Sequence, residues 1–127
     1  MLRRIGGVIA GVGVWIVIVT LLNLALRYSW HDYATVERAM TFSLPMMVAR
    51  LSMSGVSSLV SGMVAGWIDK TGWAPLVSGS ILLLLFLPVH YSLWDRFPAW
   101  YHLTFLASLP FLGWWGGRLW RPRPAIA

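Results

Sequence analysis

Two histidines lie at equal distances from a short polar turn. His90 and His102 are each six residues from Arg96, so the arms of a helical hairpin would hold them at the same depth. With Asp95 in the turn and His31 upstream, they supply donor types that a transition metal uses. The pattern favours a simpler interpretation, two interfacial histidines bonded to backbone or water. We predict no metal and no cofactor, and haem is disfavoured because adjacent helices pack about 8–10 Å apart.

Arg50 is an arginine inside an apolar segment. It lies one helical turn before Ser54, on a side of small residues, which predicts that its charge points toward other helices. Snorkelling to the interface is the favoured interpretation, and a buried contact with Asn23, Asp95 or a partner's acidic group is the alternative. The candidate polar cluster is Asn23, Arg50, His90, Asp95 and His102.

Small residues recur every four positions in the same segment. This spacing puts them on one helix face and lets another helix approach closely. We favour packing within one bundle, with dimerisation, a partner helix or a serine-lined solute path as alternatives. The serines have neither a nearby base nor a GxSxG motif, so we predict no catalytic residue. The candidate helix-packing residues are Gly7, Gly11, Ser54, Ser58, Gly62 and Gly66.

Four apolar segments must position these side chains. About 20 apolar residues suffice to cross a membrane, and the first segment is longer than a signal-peptide core and has no small-residue cleavage site. We predict an all-α integral membrane protein, a four-transmembrane-helix bundle forming one membrane domain over 1–127. The predicted spans are 5–26, 44–68, 75–94 and 100–117.

The first outer loop carries a short amphipathic segment. Asp32 is positioned to cap a helix that runs through Phe42, and Pro45 then begins the second span. The alternative is one long helix over 33–68, and the sequence leaves both open. The apolar face of the short helix would hold Tyr33, Val36, Met40 and Leu44.

Composition supports a membrane location. Hydrophobic residues make up 58% of the 127 residues and charged residues 11%, whereas a soluble domain has about 25% charged residues. The chain has no cysteine, which excludes disulfides and thiol chemistry. The net charge of +6 comes from residues at segment ends without a nucleic-acid motif, so we expect lipid headgroups rather than nucleic acid as its counter-charge.

Charge distribution predicts the orientation. More arginine and lysine on the side of both termini places that side in the cytoplasm, and tryptophans and tyrosines cluster at both predicted interfaces. We therefore expect a multi-pass protein of the bacterial inner (plasma) membrane with cytoplasmic N- and C-termini. The inner basic residues are Arg3, Arg4, Lys70, Arg118, Arg121 and Arg123, and the outer ones are Arg27, Arg38, Arg50 and Arg96.

These features predict a class of function but no specific activity. We expect a non-enzymatic membrane protein that works through helix contacts as a subunit, an assembly partner or a homo-oligomer. Its expected partners are the lipid bilayer and another membrane protein or a second copy. The alternative is an oligomeric transporter or channel for a small solute or ion.

Overall fold

The computed structural model describes residues 2–37, 39, 41–70 and 72–120. A 3₁₀ turn, Trp94–Arg96, precedes the last helix, and no strand occurs within these ranges. The predicted all-helical class is therefore confirmed. The helices are α1 (Leu2–Ser29), α2 (His31–Val36), α3 (Leu44–Ile68), α4 (Trp73–Ser92) and α5 (Ala99–Trp120).

Local sequence explains where α3 begins and ends. Pro45 lies in its first turn, where the proline nitrogen has no hydrogen bond to lose. At the other end Gly72 has a positive φ of 85°, a conformation that glycine adopts without steric cost. The backbone N–H of Ala74 then donates to the Asp69 carboxylate at 2.8 Å, which satisfies an orphan donor in the first turn of α4. This turn reverses the chain within four residues.

The amphipathic segment differs from its prediction. α2 begins at His31, its N-cap is Trp30, and no side chain caps it, so Asp32 does not have the predicted capping role. The helix ends at Val36 and residues 41–43 are not helical, which excludes one continuous helix over 33–68. Of the predicted apolar face, Tyr33 is buried and Leu44 is exposed, because the chain leaves the helix between them. Arg38 and Met40 lie outside the described residues.

The four long helices pack side by side. α3 contacts both α1 and α5, and α4 contacts α1 and α5 from the other side. α1 and α3 are antiparallel, since Trp15 bonds to Ser58 and Gly11 to Ser61. We call the end that carries α2 and the 3₁₀ turn the α2 end of the bundle.

Glycines allow α3 and α5 to run in parallel with their backbones in contact. A Cβ on Gly62 would overlap the backbone carbonyl of Gly113, and one on Gly66 would lie 3.0 Å from Cα of Gly117. No larger residue fits at these positions without moving a helix. The contact sets both the distance and the register between α3 and α5.

Among the described residues, three helices are long and apolar enough to cross a membrane, namely α1, α3 and α4. Many of their large apolar side chains point outward: Ile9 is 67% exposed and Leu84 is 65% exposed. Such an apolar exterior is expected where lipid is the solvent. This supports residence in a membrane.

Candidate functional site

Arg50 is held by two tyrosines near the α2 end. Its Nε donates to the hydroxyl of Tyr101 at 3.1 Å, and its Nη1 donates to the hydroxyl of Tyr33 at 2.8 Å. The guanidinium also lies over the ring of Phe42, with Cζ 4.6 Å from the ring centroid. A cation on an aromatic face gains electrostatic attraction, so three aromatic side chains fix one charge.

Tyr33 continues the hydrogen-bond network to α1. Its hydroxyl donates to Oδ1 of Asn23 at 2.7 Å, and Nδ2 of Asn23 donates to Glu37 at 3.1 Å. Glu37 also accepts from Arg27 at 2.5 Å. The network therefore runs from α3 through α2 to α1 and binds the short helix to both neighbours.

Tyr33 keeps its proton at neutral pH. Burial raises the pKa of this phenol above its usual value of 10.0, and the nearby Arg50 charge offsets that effect only in part. A protonated phenol can accept from Arg50 and donate to Asn23 at the same time. Its place in the network depends on this double role.

Stacked aromatic rings close the α2 end above Arg50. Tyr33 stacks on Phe42 at 5.3 Å, Phe42 on Phe97 at 6.0 Å, and Phe97 packs against Tyr101 at 4.9 Å. All four are buried, with Tyr33 fully enclosed. We call these four residues the aromatic cap.

A cavity of about 330 Å³ lies beneath the cap, between α1 and the other three long helices. Its walls change in character along the bundle. Near the α2 end they carry two arginines and an asparagine beside Leu24, and toward the middle they are aromatic and apolar except for Thr20. The polar lining residues are Thr20, Asn23, Arg27 and Arg50, and the apolar ones include Trp15, Val19, Met53, Phe86 and Phe105.

Arg50 faces this cavity without an acidic partner. The ion pair among the described residues joins Arg27 to Glu37, and no described carboxylate pairs with Arg50. A guanidinium has five N–H donors, and the two phenols take two of them. The cavity therefore has a fixed positive charge with donors to spare.

The two hairpin histidines are in direct contact. Nδ1 of His90 lies 2.6 Å from Nδ1 of His102, and both side chains are buried. One ring must donate and the other accept in such a bond. Trp94 stacks on His102 at 4.8 Å, while Nε2 of His102 is buried without a partner.

The other predicted metal donors lie apart from this pair. Asp95 and His31 are both exposed, whereas His90 and His102 are buried and bond to each other. Within the described part of the chain, no three His, Asp or Glu side chains come close enough to hold a metal. The predicted polar cluster thus divides into the Arg50–Asn23 network, the histidine pair and a separate Asp95.

The predicted helix-packing residues face two different helices. Gly62 and Gly66 meet α5, whereas Gly7 and Gly11 of α1 approach Ala65 of α3. Ser58 accepts a 3.1 Å bond from Nε1 of Trp15. Ser54 is buried, and its hydroxyl has no partner. The small residues therefore contact other helices of the same chain.

Sequence reasoning missed the residues that complete these contacts. Tyr33 and Tyr101 fit an interfacial aromatic belt, and nothing in the sequence marks them as partners of Arg50. Trp15 offered a usable signal, since an indole N–H in the middle of an apolar segment must find an acceptor. Glu37 similarly lies ten residues after Arg27 with no local motif to connect them.

The arrangement is suited to binding an anion. Arg27 and Arg50 both line the cavity. The nearby carboxylate of Glu37 already accepts hydrogen bonds from Arg27 and Asn23. The neighbouring phenol and amide are polar but are not arranged as a nucleophile and its base. Comparisons of the chain with known protein families, curated proteins and solved structures found no match.

Proposed function

We propose that this chain is a four-span protein of the bacterial plasma membrane with both termini in the cytoplasm. α5 is the fourth span: it has 22 residues and lies along α3 from Tyr101 to Gly117. Its tryptophans and glycines lower its hydropathy, yet both are common in membrane helices. The excess of arginine and lysine on the side of the termini supports this orientation.

We propose that the protein acts by binding an anionic ligand in the cavity, without catalysis. The observation that carries this proposal is the Arg50 guanidinium, which faces the cavity with unused donors and no carboxylate. An arginine costs about 2.5–3.5 kcal/mol at the centre of a membrane helix, and ionisable residues within spans commonly serve a functional site. An incoming anion would supply the missing counter-charge.

The sequence favours action through helix contacts with a partner or a second copy, and an oligomeric transporter or channel is its alternative. If the small residues of α3 served either function, they would face a second chain. Here they contact α1 and α5 of the same chain. We therefore propose that the function resides at the cavity.

Thermal unfolding in a neutral detergent tests the proposal. The protein is heated with and without two added anions, inorganic phosphate and the amphiphile dodecyl phosphate. We expect at least one of them to raise Tm, because a ligand that binds the folded state alone stabilises it. Arg50→Met should lose this response, since the cavity then lacks its charge.

Arg118→Met is the matched control. Arg118 lies over Trp114 at 5.0 Å, far along α5 from the cavity, and its loss should leave the response intact. If neither anion raises Tm, or if both arginine variants respond like the parent protein, the proposed function is wrong.

A further inference from the structure

We infer that the ligand is a membrane lipid with an anionic headgroup, one chain of which lies along the inner part of the cavity. This inference rests on the proposed anion-binding function and adds the class of ligand. Three features of the cavity carry it: its length, the change of polarity along it, and the side on which it opens.

The cavity has the length of a headgroup and the upper part of a chain. Its lining on α1 extends from Arg27 to Trp15, positions that are separated by about 18 Å along the axis at a rise of 1.5 Å per residue. That distance is more than half of a hydrocarbon core of about 30 Å. A small inorganic anion would fill only the polar end.

Polarity changes along the cavity in the direction that a lipid requires. Arg27, Asn23 and Arg50 lie near the α2 end, where a headgroup would be, and Trp15 and Val19 lie deeper. The rings of Phe86 and Phe105 pack edge to face at the same inner end, with centroids 5.3 Å apart. An acyl or prenyl chain at this end would contact apolar side chains and would not displace a polar group. Its burial against these rings is therefore favourable.

The cavity opens toward the hydrocarbon, and the aromatic cap covers Arg50 on the side of the α2 end. Thr20 and Leu24, on its α1 wall, are exposed and belong to the apolar part of α1. The aromatic cap covers Arg50 from the α2 end, with Tyr33 fully buried and Phe42 over the guanidinium. A lipid can therefore enter between the helices from the leaflet, and the cap blocks the direct approach of a dissolved anion to Arg50 from the α2 end.

The experiment separates the headgroup from the chain. Protein in dodecyl maltoside already has a neutral amphiphile with the same chain, so dodecyl phosphate changes only the headgroup. We expect dodecyl phosphate to raise Tm at concentrations where inorganic phosphate has no effect. Affinity should fall on the order of tenfold or more in Arg50→Met, because a buried charge pair is lost.

Variants at the apolar end test the position of the chain. Val19→Phe narrows the inner cavity and should weaken binding of dodecyl phosphate, and Met53→Phe should do so from the opposite wall. Leu84→Phe is the control, since Leu84 is 65% exposed and lies away from the cavity. The Tm of each variant without ligand shows whether its fold is disturbed. If one wall variant is disturbed, binding of dodecyl phosphate by the variant on the opposite wall tests the position of the chain.

Each contrary outcome overturns a separate statement. An equal, Arg50-dependent response to inorganic phosphate would mean a site for free anions, so the lipid inference fails while the anion-binding function stands. Undiminished binding of dodecyl phosphate by both wall variants would show that the chain lies elsewhere and would also reject the inference. No response to either anion would reject the inference together with the proposed function.

Discussion

Nε of Arg50 donates a 3.1 Å hydrogen bond to the hydroxyl of Tyr101, a residue 51 positions later in the chain. The same spacing separates Gly62 from Gly113 and Gly66 from Gly117. One register between the parallel helices α3 and α5 therefore sets the polar contact at the α2 end and the glycine contacts in the other half. A substitution at Gly62 or Gly66 that shifts this register should therefore also disturb the bond between Arg50 and Tyr101.

Gly62→Ala should destabilise the bundle. Its new Cβ would overlap the Gly113 carbonyl, and relieving such overpacking costs about 1–3 kcal/mol. Gly13→Ala is the control because a Cβ there meets nothing within 4 Å. Reversible unfolding in mixed micelles measures both, and equal stability of the two variants would mean that α3 and α5 do not pack through these glycines.

Arg50→Lys should lower the free energy of unfolding by about 1.5–3 kcal/mol, the contribution of one hydrogen bond to a charged group. A lysine ammonium lacks the planar fork that reaches both Tyr33 and Tyr101. Under the snorkelling interpretation the same change would be nearly neutral. The free energies of unfolding of Arg50→Lys and of the control Arg118→Lys decide between the tyrosine contacts and snorkelling. Unchanged stability in Arg50→Lys would support snorkelling.

The bond between Trp15 and Ser58 should couple α1 to α3. We expect a coupling free energy of about 0.6 kcal/mol, the average for hydrogen bonds between membrane helices, and at most about 1.7 kcal/mol. A double-mutant cycle with Trp15→Phe and Ser58→Ala measures it. Trp115→Phe, at an exposed position, paired with Ser58→Ala should give a coupling near zero. Equal values in both cycles would argue against the bond.

The Tyr33 network should weaken at high pH. The unfolded phenol loses its proton near pH 10.0, and burial raises the pKa of the folded phenol above that value. The stabilisation is therefore complete below pH 10 and disappears as pH rises through the raised pKa. Unfolding as a function of pH should show this loss in the parent protein and a smaller one in Tyr33→Phe. If the parent protein and Tyr33→Phe lose the same stability at alkaline pH, ionisation of Tyr33 is not the cause of the loss.

The proposed orientation predicts which positions react from outside. The chain has no cysteine, so single cysteines report unambiguously. Asp95→Cys should react with a membrane-impermeant thiol reagent on intact spheroplasts, and Lys70→Cys should react only after permeabilisation. Both positions are exposed, unlike the neighbouring Phe97, which is buried. Labelling of position 70 from outside would contradict the four-span topology.

The sequence was sufficient to predict the helices, because their signals are local. A run of apolar residues, Pro45 at the start of α3 and Gly72 at a reversal each act through neighbours in the chain. The end of α3 could therefore be read from the sequence, whereas its start stayed open because one helix over 33–68 was the alternative. α2 was harder, since a six-residue helix is stabilised mainly by contacts such as those of Tyr33 and less by its own propensity.

Which side chains meet was decided by the tertiary structure. Arg50 could be assigned to the inner face of α3, but its partner depends on the rotation and register of three other helices. Those are set by backbone contacts such as Gly62 with Gly113, and residue spacing within one helix carries no information about the distance to another. For the same reason the cavity beside Arg50, which residues of four helices line, exists only once the helices have packed.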